Sequence, residues 1–178
     1  MIRKNTSLLG FLYLLLVAAP GSSGAQEKPI QLSIIGPTIQ LVDDDADIKG
    51  ARLSLIYGIN RNMTGLDVGF INRTRGDFTG YQWGLVGVTD GDSKGWQNTL
   101  INVTQGDLLG LQTGLVNLAG SGEGIQAGAF NRANYMSGLQ ISLVNFAQDM
   151  HGVQIGLINI IRSKDRLPVL PLVNWKLD

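Results

Sequence analysis

The densest set of oxygen donors in the sequence is Asp43, Asp44, Asp45 and Asp47. Carboxylates this close together are the chemistry of Ca²⁺ binding. Their spacing is not that of an EF-hand loop, which needs glycine at its sixth place and glutamate at its twelfth. A solvated acidic turn accounts for them. Arg75-Gly76-Asp77 spells an integrin-type adhesion tripeptide. Asp90-Gly91-Asp92 and Gln105-Gly106-Asp107 stand at equivalent places, so turn chemistry explains all three. His151 is the single histidine, in what reads as a turn beside Gly152, and there is no cysteine. Neither a zinc site nor a histidine-based triad is supported. Asn62-Met63-Thr64, Asn72-Arg73-Thr74 and Asn102-Val103-Thr104 match the N-glycosylation sequon, and no modification is expected in a bacterial setting. Tyr81, Trp83, Trp96 and Trp175 suit a membrane-interface belt or a carbohydrate platform, with ordinary strand packing as the plainer account. No catalytic, cofactor-binding or metal-ligating residue is assigned, and a non-enzymatic role is expected.

What holds these residues is a repeat. Glycine opens a unit at Gly50, Gly65, Gly80, Gly95, Gly110, Gly124, Gly138 and Gly152, a period of 15 residues that becomes 14. A fixed short period means one structural unit copied side by side. The fourth residue after each opening is small: Ser54, Gly69, Gly84, Thr99, Gly114, Gly128, Ser142 and Gly156. Ser54 and Ser142 are therefore packing residues. The second residue is Gln in the last six units, from Gln82 to Gln154, with Arg52 and Asp67 in the first two. The fifth and sixth are apolar. The seventh is Asn in six units, with Tyr57 and Gly87 as the exceptions.

Recurrent mid-unit glycine argues against a helix, at about 1 kcal/mol each relative to alanine. The apolar, β-branched and Asn/Gly-rich composition suits strands and tight turns. Pro29 to Leu41 reads as a strand outside the repeat. A further unit from Leu167 places Pro171, Leu172, Val173 and Asn174 on the small, apolar, apolar and Asn places. Its two prolines remove ladder donors, so it reads as an edge or closing strand.

The chain has 178 residues, with 14 basic and 14 acidic side chains. That balance gives no basic face for nucleic acid. Arg3 and Lys4, the apolar run Leu8 to Ala19 and the small residues Ser23-Gly24-Ala25 read as a secretory signal peptide. The expected organisation is a signal peptide at 1–25 and a single all-β repeat domain at 26–178. Its repeat units run from 50 to 166 and its closing strand covers 167–177.

Gly110-Leu111-Gln112-Thr113-Gly114-Leu115-Val116-Asn117 and Gly152-Val153-Gln154-Ile155-Gly156-Leu157-Ile158-Asn159 resemble bacterial surface-repeat proteins built on Gly-Leu-Gln-x-Gly-Leu-x-Asn units. The ending Pro168 to Trp175 resembles the same family. That resemblance covers roughly residues 50 to 177. It implies an exported, surface-associated protein and brings no assigned activity. Two stackings of the units remain open. One is an antiparallel meander closed into a small barrel of about 10 strands in the outer membrane. The alternative is a parallel β-solenoid with one coil per unit and stacked amide ladders. The barrel implies outer-membrane lipid as partner and a structural or narrow-pore role. The solenoid implies a surface-exposed binding module or adhesin. The expected address is the outer membrane or cell surface.

Overall fold

The computed structural model describes residues 27–177, so the expected signal peptide lies outside the described residues. The chain is all-β and folds as a parallel β-solenoid of about 7 turns. The strands are β1 (Glu27–Ile35), β2 (Ile39–Gln40), β3 (Asp47–Asn60), β4 (Met63–Thr74), β5 (Phe78–Thr89), β6 (Ser93–Thr113), β7 (Val116–Ala127), β8 (Phe130–Ile141), β9 (Val144–Ile161) and β10 (Val169–Lys176). From β3 to β9 every neighbouring pair is parallel. The barrel expectation is thereby corrected, because an up-and-down barrel needs antiparallel neighbours. Like stacks on like: Gly65 pairs with Gly80, Gln126 with Gln140 and Asn131 with Asn145.

Each conserved place of the repeat has a geometric cause. The eight opening glycines have φ between 121° and 153°, which L side chains rarely adopt. A Cβ at Gly95 would collide with the carbonyl oxygen of Gly80 in the coil before it. The small fourth place lies at a corner, where a Cβ on Gly114 would meet the Thr99 carbonyl. The Asn at the seventh place staples that corner. Asn102 Nδ2 donates to the Thr99 carbonyl at 3.1 Å and to the Thr113 carbonyl of the next coil at 3.0 Å.

Inside the coils the Gln and Asn side chains, all fully buried, form two hydrogen-bonded rows. Gln154 Nε2 donates to Gln140 Oε1, Gln140 to Gln126 and Gln126 to Gln112, at 2.7, 2.7 and 2.8 Å. The row continues through Gln97 to Gln82, whose Nε2 donates to Asp67 Oδ2 at 2.8 Å. Arg52 closes it with two bonds to the Asp67 carboxylate at 2.8 and 2.7 Å. An ionised carboxylate only accepts, so Asp67 dictates that every Gln presents its nitrogen toward the N-terminus. The Asn row runs the other way. Asn102 Nδ2 donates to Asn117 Oδ1, and the pattern repeats through Asn131 and Asn145 to Asn159. Two small apolar clusters fill the space beside the rows: Ile48, Met63 and Phe78 near one end, and Leu108, Ala133, Met136, Ala147, Met150 and Ile161 toward the other.

Four further expectations change. The N-terminal strand stops at Ile35 rather than Leu41 and turns back into β2. It lies parallel to β3, with Gln31 opposite Arg52, so it completes the coil stack. In the first unit the register shifts between Ser54 and Tyr57, and Gly58, not Tyr57, stands opposite Asn72. The closing strand β10 is antiparallel to β9, with Asn174 opposite Gln154. It therefore does not continue the repeat places. The chain reverses between Ile161 and Val169, where Leu167 has a positive φ, and Pro171 and the positive-φ Leu172 mark a register shift inside β10. His151 sits within β9, not in a turn, with its side chain exposed.

Candidate functional site

The residues that could do chemistry by type do not converge. Arg75 of the tripeptide pairs with Asp44 and with Asp45 Oδ1, the latter at 2.9 Å. Asp47 pairs with Arg61 at 2.8 Å, and that hydrogen bond holds its carboxyl below the ordinary value. The acidic turn and the tripeptide thus neutralise each other. Asp77 serves the turn: its Oδ1 accepts the backbone N–H of Asp92 in the next coil at 2.9 Å. Asn62 does the same for Asp77, and Asp92 for Asp107, at 2.8 Å each. The Gly-Asp turns are a stack of side-chain braces along one rim. Gly91 is required there, since a Cβ would strike the Asp77 carboxylate. Among the described residues no cluster of three or more His, Cys, Asp or Glu could hold a metal. Asn102 is buried at the head of the Asn row, Asn72 is buried apart from it between Gly58 and Gly87, and Ser54 and Ser142 are buried at the corner.

A shallow groove of about 650 Å³ crosses the same rim, bordered by Asp92, Lys94, Asp107, Glu123 and Tyr135. It arises where Ser93 and Gly122 replace the Ile, Met, Phe or Leu that other coils turn inward at that place. The Ser93 hydroxyl beneath it is buried with no hydrogen-bond partner.

The outer surface of the other two sides is of a different kind. The first, third, fifth and sixth residues of each unit point outward. Leu55, Leu115 and Leu157 are 62%, 57% and 61% exposed. Two consecutive residues face out because the chain bends at the fourth and fifth places, which strict strand alternation does not anticipate. Phe70-Ile71, Leu85-Val86, Leu100-Ile101, Leu115-Val116, Ala129-Phe130, Leu143-Val144 and Leu157-Ile158 stack into one ridge, which the first unit continues with Leu55 and Ile56 exposed at the slip and Tyr57 opposite Ile71. Eight coils at about 4.8 Å make it roughly 35 Å long. Beside it, the first and third places carry Leu66, Tyr81, Trp83, Trp96, Ile125 and Ile155. In all eight units, no outward side chain between the opening Gly and the Asn place is charged.

The polar groups of this surface are tied to one another. Trp96 Nε1 donates to Thr113 Oγ1 at 2.8 Å, and Thr113 Oγ1 donates to Asn98 Oδ1 at 3.0 Å. Asn98 Nδ2 donates to the Tyr81 hydroxyl at 3.2 Å, and the Tyr81 and Trp96 rings meet edge to face at 5.1 Å. Tyr81, Trp83 and Trp96 thus lie on one apolar side, and Trp175, opposite Val153, extends it at the C-terminal end. The sequence exposed these aromatics singly; their grouping needed the coil register. No family model, curated protein or solved structure matches the chain.

Proposed function

We propose that this chain is an exported, non-enzymatic protein of the bacterial cell envelope that works as a repetitive binding module. The observation that supports it is the inversion of the usual distribution: amides inside every coil, aliphatic and aromatic side chains outside on two of its sides. Soluble monomers rarely expose contiguous apolar patches beyond a few hundred Å², and larger ones mark interaction surfaces. The signal-peptide pattern before Gln26 and the resemblance to surface-repeat proteins support the address. The coil interior is filled by side chains, which argues against a narrow-pore role. Fractionation of cells producing the full chain tests this reading. Recovery of a shortened chain from the envelope is expected; an unprocessed chain in the cytosolic fraction would sink it.

A further inference from the structure

The apolar surface has a shape that selects its partner. It wraps a convex corner: the ridge at the fifth and sixth places joins the first and third places on one side. A rigid protein face covers one side of such an edge and leaves the other wet. A fluid hydrocarbon phase conforms to both. We infer that the solenoid seats this corner in one leaflet of a lipid bilayer, lying in the membrane plane as a monotopic protein. This rests on the envelope reading above and names the partner of the same surface.

Three observations carry it. The first, third, fifth and sixth places carry no charge; of the charges that flank them, Arg73 is paired with Asp90, Arg132 lies over the Phe146 ring and Arg75 is paired with Asp44, while Asp77 and Asp92 brace the turns. An interfacial protein places its apolar face about 5–10 Å into the headgroup and acyl boundary, a depth that outward Leu and Phe side chains span. Finally, Asn98 and Thr113, the polar residues at the third place, are bonded to each other and to the Tyr81 hydroxyl and Trp96 N–H. Water would satisfy these groups without such a network. In hydrocarbon an unpartnered polar group is costly, and this network lowers that cost. The surface has no basic cluster, so hydrophobic burial rather than attraction to anionic headgroups drives the attachment.

The tryptophans report on the seat directly. The chain has three: Trp83 and Trp96 lie in the wrap, and Trp175 extends it at the C-terminal end with the Lys164 ammonium 5.5 Å from its ring centre. The purified mature chain is mixed with phosphatidylcholine vesicles carrying brominated acyl chains. Expected are co-flotation that survives high salt and loss of most tryptophan emission relative to unbrominated lipid. L100D/L115D, on the ridge and outward, should weaken partition roughly tenfold or more while leaving β circular dichroism intact. Absence of quenching with the unaltered chain overturns the inference. So does binding abolished by salt, or a stable lipid-free dimer that L100D/L115D converts to monomer. A chain that fractionates with the envelope yet is not quenched removes the lipid seat and leaves the envelope reading standing. A chain found in the cytosol removes the envelope reading instead.

Discussion

At the residue scale the buried pair Arg52 and Asp67 decides most. Both side chains are fully buried, and removing one partner strands a charge. Arg52→Gln alone should cost about 3–5 kcal/mol in urea unfolding. Replacing both by Gln extends the row, so R52Q/D67Q should recover most of that loss. A double variant no better than the worse single would refute the coupling. Asp149 behaves differently. Lys176 and then Ser163 hydrogen-bond to it and lower its carboxyl to about 2. Its contribution is fully present above the ordinary value of 3.8 and is lost as pH falls toward 2. The Asp149 side chain is 45% exposed, so solvent screening keeps that contribution small. Asp149→Asn should therefore lower the melting temperature slightly at neutral pH and converge on the unaltered protein as pH falls toward 2.

At the scale of the coil, the glycine and Asn places are where substitution should hurt. Gly95→Ala combines a positive φ with a collision against backbone, which has no room to retreat in a stacked coil. A loss of about 3 kcal/mol or more is expected in thermal melts. Gly87→Ala has no positive φ to lose and meets the Gln82 amide and the Thr99 methyl rather than backbone, so it should cost less than Gly95→Ala although it disturbs the Gln row. Much of this was legible in the sequence, because the same backbone crowding recurs in every coil and leaves the same residue behind. What was not legible follows from one bend. Alternation places the Asn row outward; the corner at Gly114-Leu115 turns two successive residues out and returns Asn117 to the interior. The first unit hides a similar slip, since an extra residue between Ser54 and Tyr57 moves Gly58 into the Asn place. Gly58 and Gly87 flank Asn72 without an amide, and Asn72 Oδ1 is left without a partner. The direction of β10 was equally invisible, because Pro171 to Asn174 mimic the repeat order while the chain runs backwards.

At the scale of the molecule, both open ends of the stack are blunted. Pro29 stands against Gly50 on β1, and β10 brings Pro171. Proline cannot donate to a ladder, and an uncovered parallel edge is a template for another chain. Deleting residues 167–178 should bare the β9 edge and, with the β1 end still covered, convert a monomer into a tail-to-tail dimer, visible by light scattering; a monomeric truncated chain would show that β9 needs no cover. The two amide rows have a consequence of another kind. Each is a line of dipoles pointing one way, and the two lines point oppositely. Turning over a single Gln would set oxygen against oxygen on one side and nitrogen against nitrogen on the other. A row can therefore reverse only as a whole, and Asp67 forbids that for the Gln row. The interior of this solenoid is ordered like a small ferroelectric pair, its sense written once near the N-terminus and inherited by every coil after it.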